Sequence, residues 1–114
     1  ALAMIALCAD SPEEAQAIEK AMLLRWAWTA MGVNRRMPTL EEALAHQMTD
    51  REAAIAARER PRATIGSVDD VATRIMDVKA EFQADEVIVV AIAPAYEIRT
   101  RTLKQLATAF GLGK

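Results

Sequence analysis

Apolar positions change their spacing several times along this chain, and each change marks the edge of an element. Residues Leu2 to Ala9 are apolar almost without a break and stop at Asp10-Ser11-Pro12, which reads as a strand covered on both faces, although the alanines also allow a helix. From Ser11 the spacing turns helical. Ser11 as N-cap, Pro12 in the first turn and Glu14 three residues after the cap form a start signal. Ile18, Met22, Trp26 and Ala30 hold the period, and Gly32 supplies the left-handed residue that stops it. With Met22, Leu23, Leu24, Trp26, Trp28 and Met31, this helix is apolar over more than one face and needs cover on two sides.

Between Val33 and Arg62 the pattern weakens into short helices. Thr39 with Glu42 and Thr49 with Glu52 are two capping boxes, and Pro38 and Pro61 punctuate the ends. The run from Ala53 to Arg60 has little large apolar surface and is expected on the outside, so residues 33–62 read as an insertion-like helical excursion. Ala63 to Ile65 form a short strand, Gly66-Ser67 turn into a helix, and Val68, Val71, Ile75, Val78 and Phe82 fall on one stripe. Glu86 to Ala93 is the strongest strand, continuous rather than alternating, so both of its faces are expected to be buried. Pro94 ends it, and Leu103, Leu106, Ala107 and Phe110 stripe a last helix that stops at Gly111. This alternation predicts an α/β fold with parallel strands and right-handed crossovers.

Composition narrows the function classes. The 114 residues suit one small domain; 53% are hydrophobic and 26% charged, a globular balance. The apolar runs are too short to cross a bilayer, so no membrane partner is expected. A net charge of -2 with interspersed signs and few aromatics argues against nucleic acid. Cys8 is the single cysteine, which excludes an internal disulfide and fits a reducing compartment, with cytoplasm as the expected location. The apolar start lacks the basic residues that precede a signal-peptide core. It also lacks an initiator Met, and a chain opening in mid-strand reads as a fragment or a processed product.

No nucleophile elbow, P-loop, dinucleotide glycine fingerprint or zinc spacing is present. His46 stands without another His or Cys at ligand spacing and reads as a partly exposed histidine rather than a catalyst or ligand. Cys8 is expected to pack, the methionines and tryptophans to fill core or an interface, and Asp85-Glu86 to open a strand. Gly66 and Ser67 have two readings. The simpler one makes Ser67 an N-cap with Asp70 in the first turn; the functional one makes the helix start a phosphate site, as occurs near the last strands of α/β barrels. Arg99 and Arg101 are expected on a solvated face, with a phosphate or a neighbouring subunit as the alternative.

Three runs resemble the C-terminal end of luciferase-like flavin-dependent oxidoreductases: Ala63-Thr-Ile-Gly-Ser-Val-Asp-Asp-Val, Ala84-Asp-Glu-Val-Ile-Val-Val and Arg99-Thr-Arg-Thr-Leu-Lys-Gln-Leu-Ala. The Met4-Ile-Ala-Leu strand with its Ala-Asp-Ser-Pro-Glu-Glu-Ala helix start, and Pro38-Thr-Leu-Glu-Glu-Ala, extend the resemblance in order over most of the chain. It implies that residues 1–114 are one partial domain, the last three βα units of a TIM (β/α)8 barrel, with 33–62 as the excursion. It further implies FMN or a related deazaflavin at the C-terminal ends of the strands, with Gly66 and Ser67 near its phosphate, and a small organic substrate such as an aldehyde, alkane or sulfonate. Electrons would come from a flavin reductase or NAD(P)H.

No catalytic residue carries over, because the strands that would bear most contacts lie outside this chain, which is therefore expected to be inactive by itself. A glycine often precedes the Ala-Asp-Glu strand in that family; Gln83 stands here, so helix termination is expected through another residue of the turn. An opened barrel leaves an unpaired sheet edge and apolar surface, so self-association into a homo-oligomer is expected. The competing reading is a non-enzymatic, self-associating α/β or helical interaction module.

Overall fold

The computed structural model describes residues 2–111, in which three parallel strands lie between helices. The strands are β1 (Leu2–Cys8), β2 (Ala63–Gly66) and β3 (Val87–Val90). The helices are α1 (Pro12–Ala30), α2 (Leu40–Ala45), α3 (Asp50–Glu59), α4 (Val68–Glu81) and α5 (Tyr96–Ala109), with a single 3-10 turn at Arg60–Arg62. Among the described residues, no helix is long and apolar enough to cross a membrane.

β1 is the central strand. Ile5 to Cys8 pair with Ala63 to Gly66 on one side, and Leu2 to Ile5 pair with Val87 to Val90 on the other. Successive side chains of a strand point to opposite faces, and β1 divides its residues accordingly. Leu7 packs with Ile18 and Met22 of α1 and with Ile98; Ala6 and Cys8 pack with Val71 and Ile75 of α4 and Leu106 of α5. Both faces of β1 are therefore covered over Ala6 to Cys8, while Leu2, Met4 and Ile5 are only partly buried and Ala3 is exposed.

The order β2-β1-β3 differs from three consecutive barrel units, which would place β2 in the middle. Here β3 takes the edge of β1 that a preceding strand would occupy in a barrel. The parallel α/β class holds, and the local order is that of a small open sheet.

β3 is shorter and more peripheral than its composition implies. It covers only Val87–Val90. Val87 and Val89 turn toward the α4 face, whereas Ile88 is 49% exposed. α1 packs against β2 and, through Ile18 and Met22, against Leu7 of β1, and leaves Ile88 of this edge strand open.

The second apolar face of α1 is covered by the segment that follows it. Ala21, Leu24 and Trp28 pack with Ala43, Leu40, Val33 and Met48, and α3 adds Glu52 and Ala56 as its buried residues. Residues 33–62 thus pack as a helical layer on α1, with most of the run from Ala53 to Arg60 on the outside. Both capping boxes form, with Thr39 and Thr49 accepting from the Glu42 and Glu52 backbone while each Glu side chain returns to the cap N–H.

Helix ends follow the left-handed cap rule, with one substitution. Gly32, at φ 75°, closes α1 while Val33 N–H reaches the Trp28 carbonyl. α4 ends in the same way on Gln83 itself, at φ 52°, with Ala84 N–H on the Lys79 carbonyl. Termination does not pass to another residue of the turn. Two helix stripes are also corrected: Phe82 is exposed past the end of α4, and α5 buries Ile98, Thr102 and Leu106 while Leu103 stays exposed.

Candidate functional site

The C-terminal ends of β1 and β2 open into a cleft of about 340 Å³ lined by Ala9 to Pro12, Ala15, Gly66, Ser67 and Asp70. Parallel sheets place ligands at this end, because the strands deliver loops there and the following helices point their N-termini back at it. Two helices start at the cleft. Ser11 Oγ accepts the Glu14 N–H at 3.1 Å and starts α1; Ser67 Oγ accepts the Asp70 N–H at 3.2 Å and starts α4. Gly66 closes β2, and its carbonyl accepts the Ala9 N–H at 2.7 Å.

Ser67 therefore has the capping role, and the amides of Val68 and Asp69 are the first-turn donors left at the mouth of α4. Pro12 removes one such donor from α1. A Cβ placed on Gly66 would meet only ordinary contact, 3.7 Å to Asp70 Cβ, so this glycine is not demanded by local packing.

The electrostatics of the cleft are mixed. The start of α4 favours an anion, while Asp10 and Asp70 bring negative charge to the same walls. Arg101 balances part of this from α5. Its guanidinium donates to Asp10 Oδ2 at 2.9 Å, to the Cys8 carbonyl at 3.1 Å and to Glu14. Arg101 is thus a half-buried clamp between β1, α1 and α5, not a residue of a solvated face; Arg99 is exposed as its composition implies.

The cleft holds no histidine, lysine or free thiol. Cys8 is fully buried in the core, and burial pushes its thiol up despite the nearby Arg101 charge and the Thr102 hydroxyl, which suits packing and not nucleophilic attack. Among the described residues no group of three or more His, Cys, Asp or Glu side chains is placed to hold a metal. The start of α4 offers the Val68 and Asp69 amides to an anion, between the Asp10 and Asp70 carboxylates, and the cleft has no wall for a large ring system.

A second group of polar side chains, not foreseen in the sequence, lies at the far end of α1. Glu52 is only 5% exposed and accepts from Trp28 Nε1 at 2.7 Å, His46 Nε2 at 2.9 Å and the Thr49 N–H at 2.8 Å. Burial works to raise its pKa. The hydrogen bonds from His46, Thr49 and Trp28, with charge attraction to His46, outweigh burial and hold the carboxyl down at about 2. His46 is 29% exposed and meets Trp28 edge-on at 5.9 Å. The capping box signalled Glu52, but nothing in the spacing signalled that its second oxygen would reach back to α1.

No protein-family profile matches the chain. Over 104 residues it is 27% identical to the uncharacterized protein YceB of Bacillus subtilis (strain 168), a match spanning 91% of this chain and 31% of YceB. Its fold superposes on the crystal structure of apo-MsnO8 with a TM-score of 0.81 at 27% identity, covering 98% of this chain and 34% of that one. The chain spans about a third of the length of either protein.

Proposed function

We propose that this chain is part of a luciferase-like, flavin-dependent monooxygenase or oxidoreductase acting on a small organic substrate, and that its 114 residues alone are inactive. The observation that carries this reading is the position of Gly66, Ser67 and the start of α4 at the C-terminal end of a parallel sheet, within a chain whose ordered motifs resemble that family. The likeness to MsnO8, confined to 34% of that chain, supports a piece of a larger α/β fold. A (β/α)8 barrel needs roughly 250 residues, and the missing strands would supply the other walls of the cleft.

In the whole protein, Gly66, Ser67 and the Val68 and Asp69 amides would hold the phosphate end of FMN or a deazaflavin. The flavin supplies the redox chemistry when bound, with electrons from a reductase or NAD(P)H. The residues of this chain only orient the cofactor.

Titrating FMN against this chain, followed by flavin fluorescence, is expected to show no saturable binding. The proposal requires a reading frame that continues upstream into further βα units, and the same titration on that longer protein is expected to saturate. Ser67→Asp keeps a good helix cap but places a charge against the phosphate, so it should weaken FMN binding at unchanged stability. Tight binding to the short chain, or an upstream frame without βα units, would overturn the reading.

One observation favours a second reading, a self-associating α/β module without chemistry. β1 finds a partner on both of its edges within this chain. An apolar groove of about 480 Å³ over Val87 and Val89, bordered by Met76, Leu103 and Phe110, would then be an interface between copies. Sedimentation analysis separates the cases if the chain forms a discrete dimer that Leu103→Glu dissolves, with no FMN binding by the longer protein.

A further inference from the structure

The pocket beside the Glu52 cluster has a volume of about 340 Å³ and is lined by Leu24, Trp28, Arg35, Arg36, Pro38, Glu42 and His46. It lies toward the C-terminal end of α1, roughly 24 Å along the helix from the cleft at Ser11, given the 1.5 Å rise per residue. Its walls are held in place by contacts that no ligand makes. Glu52 fixes both the Trp28 indole and the His46 ring, and Lys20 Nζ donates to the His46 carbonyl at 2.6 Å. Arg36 forks onto Glu42 at 2.8 and 2.7 Å, which neutralises both charges.

Arg35 is the exception. Its guanidinium lies 5.0 Å from the Trp28 ring centroid, and among the described residues no carboxylate pairs with it. Stacking on an aromatic face leaves the planar fork of an arginine oriented and its in-plane donors free. The pocket therefore combines an apolar floor of Leu24, Trp28 and Pro38 with one uncompensated positive charge. A carboxylate matches the guanidinium fork through two parallel hydrogen bonds. A dianion such as a phosphate monoester would find only one free cation here among the described residues, because Arg36 is already paired with Glu42.

We propose that this pocket binds a small organic monoanion, a carboxylate on a ring-sized apolar body, with the carboxylate on Arg35 and the body against Trp28 and Pro38. The inference does not rest on the flavoenzyme reading.

The test uses 4-fluorobenzoate as probe, with 4-fluorobenzyl alcohol as its neutral counterpart. Two-dimensional ¹H–¹⁵N spectra resolve the two indole N–H groups of the chain. Benzoate is expected to shift the Trp28 indole saturably while Trp26 and Gly66 stay still, and the alcohol is expected to shift none of them. Arg35→Gln should weaken binding by at least about tenfold, the equivalent of 1.4 kcal/mol, with dispersed spectra showing an intact fold. Arg99→Gln, a change at an exposed arginine of α5, should leave it unaltered. Shifts that rise linearly without saturating, that the alcohol reproduces, or that survive Arg35→Gln would overturn the proposal.

Discussion

The backbone N–H of Cys8 donates to Oγ1 of Thr102 at 2.9 Å, joining residues 94 positions apart. The bond sits where β1 outruns its neighbour. β3 pairs only with Leu2 to Ile5, so the Cys8 amide on that side has no strand partner, and the α5 hydroxyl takes its place. Both residues are fully buried, so water cannot substitute.

Thr102→Val keeps the side-chain shape and removes the acceptor. It should cost about 1–3 kcal/mol, the range for stranding a buried donor. Thr102→Ser should stay closer to wild type. Urea unfolding followed by circular dichroism gives both values, and a Thr102→Val chain as stable as wild type would show that the Cys8 amide finds another partner.

A charge in the middle of the sheet should act very differently on β1 and β3. Leu7→Asp puts an unpaired carboxylate between β1 and α1, at a fully buried position, and should abolish the fold. Ile88→Asp lies on the open face of an edge strand and should cost about 1 kcal/mol or less. Thermal melts of the two variants check the contrast.

Acid stability should carry the signature of Glu52. Folding lowers its pKa from the ordinary 4.5 to about 2, so the stabilisation is complete above pH about 4.5 and disappears as pH falls to about 2. Glu52 contributes on the order of 3 kcal/mol across that window by linkage. The stability difference between wild type and Glu52→Gln, measured by urea titration at several pH values, should shrink as pH drops through it. A difference that stays constant would mean the carboxylate does not hold Trp28 and His46 as charged acceptor.

Gln83→Gly should stabilise the chain. A side chain at φ 52° costs roughly 1 kcal/mol that glycine avoids, partly offset by the greater freedom of glycine in the unfolded state. The expected gain is about 0.5–1 kcal/mol, a rise of a few degrees in Tm by calorimetry.

Local signals were readable wherever the chain satisfies its own backbone. Ser11, Thr39, Thr49 and Ser67 all cap the helices their spacing announces, and Gly32 stops α1. The parallel α/β class followed from the order of elements. Strand order did not, because an apolar run such as Val87 to Val90 reads alike whether it is central or peripheral. Nor did the stripe of α5, where Thr102 is buried for its hydroxyl and Leu103 is left outside. At the candidate site, the cap on Ser67 was legible, while the Arg101 clamp and the Glu52 cluster depend on tertiary contacts that spacing does not encode.

The double-sided burial of α1 also bears on the order of folding. Its partners on one face, α2 and α3, follow it directly in sequence, so that layer closes only short loops, whereas β1 must wait for strands that begin at Ala63 and Val87. Nearby contacts form faster than distant ones because less loop entropy is lost. The helical layer around Trp28 is therefore set to assemble first, as a local nucleus to which the sheet is added, and the most N-terminal element of the chain becomes one of the last to find its place.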